Sequence, residues 1–187
     1  MMNKKYKLCE DDTIVRDGRK LYRIEALRDV RFGVEAGEKG GYVESEANLS
    51  QEGRCWVYDN ACAYEDARVE GYSVMYYDAT LRGKAKLIDG ATLWGHAIVE
   101  GEATVGGSAN IQDYAVVGGK AMLKGSVCLI NEVQVGGNAY LEGTNPRELI
   151  LQGTTMILGN TVIVGLGVFP EAEAILEAGS FRVEDDD

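Results

Sequence analysis

The sequence predicts an all-β fold, a parallel β-helix of triangular coils, and three observations lead there. A large apolar residue recurs every six positions, from Val57, Val69 and Met75 through Leu81, Leu93 and Val105 to Leu141, with the smaller Ala63 the one exception. Four positions after each comes a small or β-branched residue, such as Ala61, Ser73, Ala85, Ala97, Ala109 and Val127. Two positions after most comes a turn residue, as in Gly71, Gly83, Asp89, Gly95, Gly107, Asp113, Gly125 and Asn131. Internal repeats of this kind override local propensity in deciding a fold.

The spacing dictates the geometry. The large and small residues both point inward, and the residue between them turns the backbone through positive φ. Six residues make one short strand and one corner. Three such sides close a coil of roughly 18 residues, and coils stack through parallel ladders. A helix would need apolar residues at i, i+3, i+4 and i+7, a pattern absent from 57–143.

Composition limits the function. The chain has 187 residues, 24 glycines, 2 prolines and a net charge of −11. An acidic chain lacks the lysine and arginine excess that releases counterions from a phosphate backbone, which argues against direct nucleic-acid binding and against a membrane surface. Cys9, Cys55, Cys62 and Cys128 form no CxxC pair and have no histidine-rich company, so neither a metal site nor a disulfide framework is expected. No apolar run follows the basic N-terminus, and a cytoplasmic protein with reduced thiols is expected.

The run Val-Glu-Gly-Glu-Ala-Thr-Val-Gly-Gly-Ser-Ala-Asn (99–110) resembles the hexapeptide repeats of left-handed β-helix proteins. The resemblance covers roughly residues 43–168 and implies a left-handed coil. It also brings in the family's best-known members, trimeric acyltransferases with CoA donors. Those repeats commonly place glycine directly after the large aliphatic residue, whereas here it falls one position later. The V-x-G-x-A-x form is closer to repeat proteins of phages and prophages labelled as candidate acyltransferases, and Gly-Gly-Tyr-Val-Glu-Ser-Glu-Ala-Asn-Leu-Ser (40–50) adds to that likeness.

The ends depart from the period. Residues 1–42 are expected to form an N-terminal cap, with 13–24 a β-hairpin turning at Asp17-Gly18. The β-helix is assigned to 43–168. Val43 and Leu49 begin it, a two-residue slip precedes Val57, and regular coils run over 57–143. A four-residue insertion around Pro146 occupies 144–150, and a further coil occupies 151–168 on Leu151, Ile157 and Ile163. There the outward residues Met156, Leu158, Val162 and Val164 are apolar as well. They need cover, from the C-terminal segment 169–187 folding back as a cap or from a second subunit; the final stretch 184–187 reads as a solvated acidic tail.

Stacking coil upon coil sorts the outward side chains into faces. The face on Val57, Met75, Leu93, Ile111 and Leu129 carries Trp56, Tyr58, Val74, Tyr76, Trp94 and Ile130, with His96 at the adjoining corner. Such an aromatic side is expected to be covered, first by another copy of the chain in a dimer or trimer, otherwise by a host protein, a small ligand or the chain's own ends. The other two faces are mixed or solvated. Corner carboxylates such as Asp66, Asp78, Glu102 and Glu132 read as solvated turn residues.

His96 is the single histidine. The resemblance implies histidine as general base in acyl transfer from acetyl-CoA or another acyl-CoA. Against that role, His96 sits in an ordinary corner with no excursion loop in 57–143. The sequence also lacks a Ser-His-Asp spacing, a P-loop and a dinucleotide fingerprint. The leading expectation is therefore a non-catalytic oligomeric binding protein, phage-encoded by likeness, that blocks a host defence protein or sequesters a small ligand. A CoA-dependent acyltransferase using His96 and a polymer-forming structural solenoid are the alternatives.

Overall fold

Large and small inward residues build three parallel walls around one apolar column. A computed structural model describes residues 4–144, 148–168 and 175–183. Among them every regular element is a strand. The protein is a parallel β-solenoid of about seven coils, closed by strands at its ends.

The aromatic wall is a sheet of seven short strands, from Trp56–Val57 to Gly167–Val168. Its register steps by one whole coil at a time, with Trp56 opposite Val74, Thr92 opposite Asn110 and Asn110 opposite Cys128. The next step places Val127 opposite Leu149, so four extra residues enter at the expected insertion. Pro146 itself lies outside the described residues. The other two walls merge, because Met156–Gly165 runs continuously round a corner and pairs with both Gln134–Val135 and Tyr140–Gly143.

The inward positions are closed to water. Val57, Met75, Leu93, Ile111 and Leu129 are fully buried, as are the small residues Ala61, Ala79, Ala97 and Ala115 that alternate with them. Alternating size lets successive coils interdigitate at interior packing density. Ser73 occupies one of the small slots, and its hydroxyl has no hydrogen-bond partner.

The corners sit at positive φ as the spacing requires, at Gly71, Gly83, Gly95 and Gly107 and at the non-glycine Asp89, Asp113 and Asn131. Several carry a second function. Asp59, Asp89 and Asp113 accept the backbone N–H of Tyr77, Gly107 and Asn131 respectively, and Glu65 accepts that of Gly83. Each donor lies one coil beyond the carboxylate that accepts it. The carboxylates thus tie the outermost backbone amides together between coils.

At the N-terminal end, β1 (Tyr6–Arg16) and β2 (Arg19–Ala26) form the expected antiparallel hairpin, with Asp17 and Gly18 both at positive φ. β3 (Lys39–Val43) pairs antiparallel with β2 and parallel with Cys62–Ala63, converting the hairpin into the first rung of the solenoid. Val43 faces Ala63 and Leu49 bridges Val69, which places the two-residue slip before Val57. Lys5 is buried here, its ammonium donating to the Cys55 carbonyl (2.9 Å), the Glu52 carbonyl (3.3 Å) and the Cys55 sulfur (3.1 Å).

At the C-terminal end the expected cap is the strand Ile175–Val183. It pairs parallel with Met156–Gly165, with Ile163 opposite Phe181, and so climbs one coil further. The same one-coil step that built the walls continues here, and extending a parallel ladder keeps the backbone groups of both strands bonded. The strand lies beside Met156, Leu158, Val162 and Val164, which remain half-buried on the outside. Residues 169–174 and the acidic tail 184–187 lie outside the described residues.

Candidate functional site

The regular coil length turns sequence spacing into vertical columns, and two columns on the aromatic side carry rings. In the first, Tyr58 and Tyr76 stack at 4.6 Å with planes 8° apart, and Trp94 follows at 5.4 Å from Tyr76. Gln112 and the half-buried Ile130 continue that column without rings. In the second, His96 stacks on Tyr114 at 5.0 Å and 14°. Tyr77, at the corner between the columns, packs on Trp94 at 4.9 Å. The aromatic side therefore carries two ring clusters, one of Tyr58, Tyr76, Trp94 and Tyr77 and one of His96 and Tyr114.

The predicted residues divide. Tyr58, Tyr76 and Trp94 contact one another in one column, while His96 stacks on Tyr114 in the next; Trp94 is 44% exposed and His96 is open to solvent. Trp56 and Val74 stand at the predicted outward positions but are covered. Tyr6, from β1, meets Trp56 edge-on at 6.3 Å and 82°. The N-terminal cap thus occupies the first part of the wall, because an indole at the open end gains most by burial. Met156, Leu158, Val162 and Val164 belong to the other two walls and form no part of this surface.

Sequence reasoning missed Tyr77 and Tyr114, although Tyr114 stands one coil after His96 and its column was readable. It also missed a groove of about 410 Å³ lined by Arg31, Phe32, Arg54, Tyr58, Tyr72 and Tyr76. Arg31 and Phe32 lie in the aperiodic segment after β2, where no register predicts position.

The chemistry available at His96 is narrow. Its column-mates are Asp78 on the coil before and Tyr114 on the coil after, fixed by the Asp78 N–H to Gly95 carbonyl and His96 N–H to Asp113 carbonyl bonds. Cys128 lies further along the same wall, buried. Burial, reinforced by Glu148 and Asp113, pushes its thiol up to about 11, so the thiolate is scarce at neutral pH. Burial also raises the Cys62 thiol. Among the described residues no three His, Cys, Asp or Glu side chains converge on a metal site, and no helix is long and apolar enough to cross a membrane.

Repeats, walls and corners together define a hexapeptide-repeat β-solenoid. No family model matches the chain. A 76-residue stretch is 40% identical to the protein named "Uncharacterized acetyltransferase YdcK" of Escherichia coli (strain K12), covering 36% of this chain and 23% of that relative. The chain spans about a quarter of the length of the curated relative it matches.

Proposed function

We propose that this solenoid is an acyltransferase of the hexapeptide-repeat type, with His96 as general base. The observation that carries the reading is the 40% identity over 76 residues with a relative named as an acetyltransferase. The open position of the single histidine, stacked on Tyr114, is in keeping with it. His96 takes a proton from the acceptor's hydroxyl or amine as that atom attacks the thioester carbonyl, and returns it to the departing thiolate. The carbon–sulfur bond breaks as the new ester or amide bond forms.

The fold constrains this reading. The column-mates of His96 are a carboxylate and a phenol, and the corner beside it is Asp113. None of these supplies cations for the phosphates of an acyl-CoA. The site therefore needs walls from a second subunit, and the exposed rings of Trp94 and Tyr114 are the surface on which one packs. Incubation with acetyl-CoA and a panel of hydroxyl and amine acceptors, read as thiol release, tests it. Release abolished by His96→Gln in a protein of unchanged oligomeric size supports acyl transfer. Absence of both thiol release and acetyl-CoA binding heat overturns it.

The second reading is a non-catalytic binding platform, and a specific observation favours it. The coils over 57–143 are unbroken, so irregular backbone with which to enclose His96 is lacking. Under this reading the ring set is the binding surface itself, and the phage setting and host target rest on pattern likeness alone. Light scattering separates the cases: a monomer in solution leaves the rings free for a foreign partner, and a dimer or trimer occupies them.

A further inference from the structure

We propose that the groove between the N-terminal cap and the aromatic wall binds an acidic saccharide, a pyranose ring bearing a carboxylate. The inference does not depend on acyl transfer by His96. Two features of the groove are otherwise unexplained on a chain of net charge −11. Arg31 and Arg54 both line it, and among the described residues neither guanidinium has a carboxylate within salt-bridge distance, although eight other cationic side chains do. Phe32 is 104% exposed, a whole phenyl ring held in water.

Neither feature is a loose end of chain. Phe32 and Gly33 form a tight turn, closed by the Val34 N–H to Arg31 carbonyl bond at 2.9 Å, with Gly33 at φ 79°. Val30 and Val34 on either side are buried, so the turn is anchored and the ring is forced outward. Arg31 Nη1 donates at 3.4 Å to the carbonyls of Arg54 and Tyr72, which holds its guanidinium over the corner and leaves the rest of the fork open. Burial raises the Tyr58 phenol pKa, and the Arg31 charge opposes that rise.

The groove is rich in donors and in ring faces. Two guanidiniums suit a carboxylate in forked geometry. The phenols of Tyr58 and Tyr76 can give or take hydrogen bonds with ring hydroxyls. The open rings of Phe32 and Tyr72, the latter 64% exposed, offer flat apolar surface to the C–H face of a pyranose. Its lining contains no Asn, Gln, Asp or Glu to read the edge of a base, which favours a sugar over a nucleotide.

The test is titration of the full chain with trigalacturonic acid, read by calorimetry and by Trp94 fluorescence, with neutral maltotriose and AMP as parallel probes. Saturable binding of trigalacturonate, none of maltotriose, and a loss of roughly tenfold or more in Arg31→Gln/Arg54→Gln and in Phe32→Ser support the proposal. Phe32 and Arg54 are exposed and Arg31 is half-buried, and unchanged circular dichroism and melting show that the variants fold. Absence of trigalacturonate binding, binding unaffected by the substitutions, or tighter binding of AMP each overturns it. Thiol release from acetyl-CoA is scored separately, so failure of acyl transfer leaves this result standing.

Discussion

Asp17, at the tip of the N-terminal hairpin, accepts a hydrogen bond from Arg82 Nη1 at 2.9 Å, joining the cap to the second coil across 65 residues of sequence. Tyr64 donates to the same carboxylate oxygen at 2.8 Å, and Arg82 is held from its other side by Glu100 at 2.6 Å. The hairpin is therefore pinned along the wall built on Cys62–Ala63 and Thr80–Leu81, beyond its backbone pairing with β3.

This contact makes docking of the hairpin tip acid-sensitive. The Tyr64 hydroxyl, and after it Arg82, hold the Asp17 carboxyl below its usual range. A carboxyl with a depressed folded pKa contributes stability above its unfolded pKa, near ~3.9, and loses it as pH falls through the folded value. Amide exchange over residues 14–21 is expected to rise across that acid window. In Asp17→Asn it should be fast at neutral pH and flat with pH; a wild-type profile in that variant contradicts the assignment.

Ser73→Ala is expected to stabilise the protein. The hydroxyl is fully buried in a slot filled elsewhere by alanine and has no partner, so its removal recovers a desolvation cost of about 1 kcal/mol. Chemical denaturation with an unchanged m-value and a higher midpoint is the predicted result. A lower midpoint means that the hydroxyl is bonded in solution.

Gly107→Ala is expected to destabilise, by about 1–3 kcal/mol. The residue sits at φ 71°, and a Cβ there meets Gly125 N at 2.6 Å and Gly125 O at 2.8 Å. Stacked corners leave no route for relaxation that does not separate two coils. Thermal unfolding reads this directly. By contrast Gly18→Ala, at similar φ with no atom within 4 Å, carries only the backbone strain.

The two tryptophans are expected to behave oppositely. Trp56→Ala removes a buried indole and its contact with Tyr6, at a cost of about 3–5 kcal/mol. Trp94→Ala alters an exposed ring and should cost less than about 1 kcal/mol, while changing oligomeric size or ligand binding. Equal losses of melting temperature in both would show that the aromatic surface serves the fold alone.

The contrast between those residues marks what the sequence made legible. Their register was readable, because six-residue arithmetic places both on one wall. Whether a ring on that wall is covered depends on Tyr6, far earlier in the chain, and no local pattern encodes that contact. The hairpin was readable from Asp17-Gly18, yet the turn at Arg31 and Phe32 that builds the groove was not, since it belongs to no repeat. At the other end, the apolar outward residues from Met156 to Val164 called for cover by a C-terminal cap or a second subunit. The cap is a strand that pairs parallel with Met156–Gly165, a register that the six-residue period does not encode because it stops before Ile175.

The antiparallel cap also makes the molecule polar along its axis. Everything at the hairpin end is unique, whereas each later coil repeats the one before and adds a rise of about 4.8 Å. Duplication or loss of one whole coil within 81–143, beyond the groove residues Tyr58, Tyr72 and Tyr76, therefore changes length in fixed increments without disturbing the groove. The protein is in this sense a ruler with its zero mark at the cap, and its length from that mark can be reset one rung at a time.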